Sequence, residues 1–454
     1  MHRKFNTLLI PVESQVRELD GKILLASVAA EQGFDVIIGS RAHIHYYASK
    51  VRNAIYIAKS MRRFSNRMFK ILHGLGHRIV ALDEEALVRL PNQQYYTHRL
   101  SPITFNLIDH LFSWGENDAQ AFKNYPHYQG QPVHEVGNPR IDILRPELRD
   151  YFSPEKNELV EKYGDYILIN TNFGQVNHFI PDIGNQEADR DKNFSRNDND
   201  AYITQRYTHK KTLFDAFKNL IPYLANTFKD THFILRPHPS ESSESWQLQL
   251  NQYNNVTVTN KGNVIPWIMG AKALVSNGCT TSIESTVLQK PTLGYYPIFN
   301  ELVDDKLPKA LCDISRTNEQ IAEKISASLS INSHPINDKQ NVLRHHISNL
   351  DGDFSSEKIV EVLNNNYTYC QYEHYNMLKR IPSVIHNNAR TLVKYAKSKK
   401  GSNRNSIEYH KYRFPHINDE YVHERVNRFN LLTGKFQNIE VKEISQDIFY
   451  LAEN

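Results

Sequence analysis

The run Arg236-Pro237-His238-Pro239-Ser240-Glu241 directly follows the apolar stretch THFIL. Two prolines stiffen the backbone there. A guanidinium and an imidazole are then aimed from a rigid edge, as recognition of a phosphate requires. Glu241 adds an acceptor to the same turn. A second group, Ser276 to Ser285, turns at Gly278 and opens a helix with Thr280, Thr281 and Ser282. Free amides and hydroxyls at a helix start form an anion site, and Glu284, one turn in, is placed to accept from ribose hydroxyls. Plain capping would use one hydroxyl; four at one helix start point to a nucleotide phosphate.

A third group, Asp83-Glu84-Glu85, follows the run RIVAL. Adjacent carboxylates repel each other, and partial burial raises at least one pKa, which suits a general base. An ordinary acidic helix start has the same appearance. Glu116, after Trp114-Gly115, is a spare acid or base. Asn170, Asn172, Asn177 and His178 follow the apolar run YILI and offer groups for a sugar or phosphate, or simply a polar turn. Asn138 and Arg140 sit where the first half of the chain ends, as candidate substrate contacts or as a Pro-led helix start.

Other chemistry finds less support. Asp198-Asn199-Asp200 has the spacing of a metal-binding acidic pair but lies in a polar stretch with no strand before it. None of the 21 histidines shows HExxH or other zinc spacing. No GxGxxG follows the first strand and no Walker A lysine loop is present, so no metal or cofactor is expected. Three cysteines, Cys279, Cys312 and Cys370, exclude a disulfide framework. Cys279, inside the proposed phosphate turn, reads as a small packed residue.

Elements must hold these groups in place. Apolar runs at 6–13, 35–40, 53–58, 78–83, 110–115 and 132–137 alternate with helical periodicity at 16–32 and 64–76. After a polar, charged stretch at 149–165, strands at 166–171, 231–236, 255–259, 272–276 and 292–296 alternate with helices. The expected fold class is therefore α/β, with two doubly wound Rossmann-like domains. The expected domains are 1–150, on the acceptor side, 151–330, on the nucleotide side, and a helical, partly basic extension at 331–454. Residues 181–200 read as a long polar loop or lid. In such folds ligands lie beyond the carboxyl ends of the strands, so a site in the cleft between the two sheets is expected.

The 454 residues carry 54 Lys plus Arg against 50 Asp plus Glu, too even a balance for a dedicated nucleic-acid binder. Basic charge is instead local. Residues 50–78 and 379–404 each hold eight Lys and Arg and no acid. The second stretch interleaves Leu378, Ile381, Ile385 and Leu392, a pattern suited to an anionic membrane surface or to a solvated helix face. No apolar run is long enough to span a bilayer, and the apolar stretch LLIPV is too short for a signal peptide. The expected location is the cytoplasm or the inner face of the cytoplasmic membrane.

With these motifs in hand, the chain resembles bacterial surface-carbohydrate (capsule and O-antigen) biosynthesis proteins, which include retaining β-Kdo glycosyltransferases of GT-B-like fold. The resemblance rests on VALDEE (80–85), FSWGE (112–116), VGNPRIDIL (136–144), ILINTNFGQVNH (167–178), ILRPHPSE (234–241) and STVLQKPTLGYYP (285–297). It implies transfer of Kdo or a related 2-keto sugar acid from a CMP-activated, metal-independent donor to a surface glycan or its lipid-linked precursor. It also implies His238-Pro239 and Thr281-Ser282 as phosphate contacts and Asp83 with Glu84 as the acidic pair. Glu85 stands where related CMP-sugar transferases have glycine. In a retaining enzyme a carboxylate could instead be the nucleophile. A CDP-glycerol phosphotransferase, a UDP-sugar 2-epimerase and a non-catalytic GT-B scaffold remain open alternatives.

Overall fold

The computed structural model describes residues 5–88, 92–179, 199–330, 339–368, 377–399 and 406–454. The chain forms two compact units, one of Met1–Leu87, Asn92–Tyr151 and Arg344–Asn454, the other of Val88–Pro91 and Phe152–Leu343.

The first unit is built on an eight-stranded sheet of order β13-β14-β2-β1-β3-β4-β5-β6. Its parallel strands are β1 (Thr7–Val12), β2 (Asp35–Ser40), β3 (Ala54–Ala58), β4 (Arg78–Leu82), β5 (His110–Ser113) and β6 (Val133–Glu135). TLLIPV, AIYIA and RIVAL are apolar almost without a break because helices cover both faces of such a sheet. The helix Gln15–Glu31 lies almost wholly in the interior.

Composition alone sets 331–454 apart, but residues 344–454 belong to the first unit. Its described residues are mostly helical up to two closing strands, β13 (Ile439–Ser445) and β14 (Ile448–Glu453). β14 pairs antiparallel with β2, Tyr450 opposite Ile37. The return is clamped by the buried carboxylate of Asp142, which accepts from the Ser355 and Ser356 amides and the Ser356 hydroxyl, each at 2.9 Å. Arg145 donates to the Asn349, Gly352 and Asp353 carbonyls.

The second unit is a six-stranded parallel sheet of order β12-β11-β10-β7-β8-β9. Its strands are β7 (Tyr166–Asn170), β8 (His232–Arg236), β9 (Val256–Val258), β10 (Ala273–Ser276), β11 (Thr292–Tyr295) and β12 (Asp313–Ser315). Ile167, Ile169, Phe233, Leu235 and Val275 meet Phe217, Leu220 and Leu224 of the helix Asn199–Thr227 in its core. The polar stretch at 149–165 contains the helix Ser153–Tyr163. The loop expected at 181–200 lies outside the described residues up to 198, as do Asp198 and Cys370; Asn199 and Asp200 begin the long helix. Fold class therefore follows the sequence reading: two Rossmann-like units with a largely helical C-terminal part.

Candidate functional site

Each sheet changes winding direction once. In the first unit that switch lies between β1 and β3, and in the second between β7 and β10. Open α/β sheets bind ligands in the crevice beyond the strand ends at this point. The two crevices differ chemically.

In the first unit, the residues beyond β1, β3 and β4 pair with one another. Glu13, just past β1, meets Lys59, just past β3, at 2.8 Å, with Arg41 at 3.2 Å. Lys59 also pairs with Glu18 at 2.5 Å. Lys22 bonds Glu18 at 2.9 Å and the Pro11 carbonyl at 2.7 Å, and lies 3.4 Å from Glu84. Burial opposes charge on Glu18, but the Lys22 and Lys59 ammoniums hold its carboxyl well below the usual range. Glu84 also accepts from Asn138 at 3.4 Å and lies 3.8 Å from Arg140. Three sequence candidates (Glu84, Asn138 and Arg140) are thus brought together, within an internal ion-pair network.

Asp83 is fully buried and bound by the Arg99 guanidinium, with the Tyr95 hydroxyl donating at 3.2 Å. Burial pushes its carboxyl up, to about 8, and Glu85 adds to the rise. Direct contact with Arg99 opposes both, and a guanidinium at bonding distance favours the ionised form. Glu85 is bonded by Arg99 at 2.7 Å and Arg62 at 3.4 Å, with its side chain 48% exposed. It is the solvent-reachable carboxylate of the trio. Glu116 lies on the surface, 3.8 Å from His345, and no bond links it to Asp83 or Glu85 among those described.

The second unit is organised differently. The loops after β7 and β8 are zipped together: Thr171 N–H donates to the Arg236 carbonyl, Phe179 to Ser240 and Ser242 to Asn177. Gly174 permits this approach, since a Cβ there would come within 2.0 Å of the Ser240 hydroxyl. Glu241 is the hub. Its buried carboxylate accepts from Thr171 Oγ1 (2.9 and 3.0 Å), Phe173 N (2.9 Å), His238 N (3.0 Å) and Trp246 Nε1 (3.1 Å). Burial lifts its pKa while those donors pull it back.

His238 is held by its main chain and its ring. Ser240 N–H donates to Nδ1 at 3.1 Å, and the Ser240 hydroxyl lies 2.7 Å from the same atom. Nδ1 is therefore an acceptor, and the neutral ring carries its proton on Nε2. Arg236 is turned away from any anion role. Its guanidinium donates to the Lys261 and Gly262 carbonyls at 2.7 and 2.9 Å and lies 4.9 Å from the Trp267 ring centre. Asn177 is likewise spent on Ser242 and Ser245. His178 forms a bridge with Glu241 and stacks on Phe179. Asn172 is half-buried in the same loop.

At the switch point itself, Asn170 ends β7 in register with Ser276 of β10. The Asn170 Oδ1 is buried and lacks a hydrogen-bond partner among the described residues; so do both amide atoms of Asn277. Both side chains are nearly inaccessible. Gly278 then turns with φ +88°, leaving the buried Tyr296 hydroxyl 2.7 Å from where a Cβ would stand. The helix Thr280–Val287 begins here. Thr280 and Thr281 are half-buried at its start, and Thr281 Oγ1 lies 2.5 Å from Cys279 Sγ. Ser282 points into the core against Cys312, and Glu284 is buried.

Sequence reasoning passed over a charged group in this unit. Arg206, His209 and Lys210 project from the long helix into the neighbourhood of Asp304 and Asp305. His209 bonds Asp304 at 2.7 Å. Burial lowers the Lys210 pKa, opposed by Asp305, and Lys210 also feels Cys279 at the helix start. The available signal was the Arg206/Lys210 spacing of four, which sets both on one helix face.

No protein-family model matches the sequence, and no curated protein does. Solved structures do. The wall teichoic acid polymerase TagF, in a histidine variant soaked with CDPG, is 12% identical with a TM-score of 0.52, over 80% of this chain and 89% of that one. S. aureus MnaA, in a structure with UDP, is 14% identical with a TM-score of 0.49 over 83% and 100%. The UDP-GlcNAc 2-epimerase of Methanocaldococcus jannaschii is 12% identical with a TM-score of 0.47 over 79% and 100%. At such identities the likeness is one of fold: two Rossmann-like units of the GT-B kind.

Proposed function

We propose that the chain is a transferase that binds the nucleotide of an activated donor in its second unit, beyond the ends of β7, β8 and β10. One observation carries this reading: the unpartnered Asn170 Oδ1 and Asn277 amide at the switch point. A buried amide without partners costs ~1–3 kcal/mol, which a ligand offering donors and acceptors would recover. In the first unit's crevice the buried ammoniums and carboxylates pair with one another, and the unpartnered buried atoms there include the Nε atoms of Arg62 and Arg99, donors already committed through their other nitrogens to Asp83 and Glu85.

The leaving group's phosphate would take a hydrogen bond from His238 Nε2–H and lie in the field of the Thr280–Val287 helix start, Arg206 and Lys210. As the bond from the sugar carbon to the phosphate oxygen breaks, its electron pair stays with the nucleotide, and these donors stabilise the added charge. The acceptor hydroxyl gives up its proton to a general base or to solvent; of the acid/base candidates Asp83, Glu84 and Glu85, Glu85 is the solvent-reachable one. Our specific reading, resting on the sequence motifs, is a CMP-activated 2-keto sugar acid of the Kdo type, delivered to a bacterial surface glycan or its lipid-linked precursor without a metal. The TagF likeness favours a second reading, a CDP-linked glycerol donor.

Thermal unfolding with CMP, CDP, UMP and UDP, without and with magnesium, separates them. A ligand at ~100 times its Kd adds ~2.7 kcal/mol. A metal-independent CMP shift, lost in His238→Ala, is the expected result. A CDP preference selects the second reading, and no shift with any nucleotide refutes both.

A further inference from the structure

The helix Met377–Ser398 is docked inside out. Three of its polar side chains, Arg380, Ser383 and Asn387, face the body of the first unit. Arg380 donates to the Ser49 and Val51 carbonyls, each at 2.6 Å, and the buried Asn387 donates to the His45 carbonyl at 3.1 Å. Ser383 packs against Gly74, where a Cβ would come within 2.1 Å of its hydroxyl. At 100° per residue these three side chains share one face. The opposite face carries Leu378, Ile381, Ile385 and Leu392, flanked by Val393 and Tyr395, and all six are 50–71% exposed. Soluble helices turn such a stripe inward.

The helix also joins the two acid-free stretches seen in the sequence. It packs on the helix Asn66–Gly74, with Arg67 Nε donating to His386 at 2.7 Å. Beside that contact Phe64 is 70% exposed, and Arg63, Arg67 and Lys70 are exposed too. Lys397 and Lys399 are exposed near the other end of the long helix. No Asp or Glu occurs between Glu373 and Glu408, or between Asp35 and Asp83. An apolar stripe collared by cations and free of acids complements one surface chemistry: acyl chains beneath anionic headgroups. No described helix is long and apolar enough to cross a bilayer.

We infer that the first unit rests on an anionic lipid surface through the outer face of helix Met377–Ser398, with Phe64 as a second apolar contact. The inference is independent of the donor reading. The test is co-sedimentation of the full chain with vesicles of phosphatidylglycerol and phosphatidylcholine, against phosphatidylcholine alone. The expected result is binding to the anionic vesicles that weakens with salt, by about fivefold per headgroup-paired cation removed. The double variant Ile385→Asp, Leu392→Asp should lose at least about tenfold in partitioning, with an unchanged circular dichroism spectrum because both side chains are exposed. No binding to anionic vesicles, or equal binding by the variant, would overturn the inference. A wild-type dimer in solution that the same substitutions dissolve would also overturn it, assigning the face to a second copy.

Discussion

Replacing Glu241 tests whether one carboxylate holds the candidate site in shape. Its four donors come from three places: Thr171 and Phe173 after β7, His238 after β8, and Trp246 in the helix Ser243–Leu250. Glu241→Ala strands those donors in a buried setting at ~1–3 kcal/mol each, less whatever entering water and hydroxyl rotation recover, so a total loss of about 4 kcal/mol is expected. Glu241→Gln keeps the shape but turns an amide NH2 toward one of the donors, and about 2 kcal/mol is expected. Urea unfolding followed by tryptophan emission reads this directly. Trp246 donates to the carboxylate and Trp267 lies in the same unit. Nucleotide-induced stabilisation should weaken along with it, because the His238 amide loses its anchor. An unfolding midpoint for Glu241→Ala equal to that of the wild type would refute the hub, and with it the account of how His238 is positioned.

Three further outcomes are expected. Asn277→Ala removes an unpartnered buried amide, so the ligand-free chain should unfold no earlier than wild type while its nucleotide-induced shift disappears; a destabilised chain that still responds to nucleotide would contradict the binding role. Gly278→Ala places a Cβ at φ +88° and 2.7 Å from the Tyr296 hydroxyl, which should cost ~1–3 kcal/mol in a urea titration. Burial drives the His77 pKa from 6.5 down to about 4, with Ala54 N–H donating to Nδ1. Between those values the unfolded chain binds the proton and the folded chain does not. The stabilising contribution is therefore complete above pH 6.5 and falls as pH drops toward 4. About 2 kcal/mol should vanish between ~pH 7 and ~pH 5, and His77→Gln should remove that share of the pH slope; an unchanged slope would contradict it.

The strand pattern was readable because buried parallel strands are short apolar runs with polar punctuation, as in RIVAL followed by Asp83. β12 was missed since DIS is too short and polar to stand out. The attachment of 344–454 to the first unit rests on pairing between β14 and β2, more than 400 residues apart in sequence, which no local pattern encodes. The clusters at strand ends were likewise legible, but side-chain direction was not. Arg236 turns to carbonyls about 25 residues away, Ser282 meets Cys312, and Glu241 serves its own loops. Lys210 and Arg206 escaped notice because a helix interior gives no positional cue like the one a strand end provides.

The pairing of β14 with β2 has a consequence for the order in which this chain is made. The second unit is nearly continuous, Phe152–Leu343, and is interposed within the first. A ribosome releases it before the residues that cover β2 exist. Until β13 and β14 emerge, β2 stands as an open edge of a parallel sheet, able to pair with a neighbouring nascent chain. Synthesis therefore carries its greatest hazard of misassociation late, after the second unit is free to fold, and slowing translation beyond Leu343 should raise the aggregated fraction more than an equal delay placed earlier.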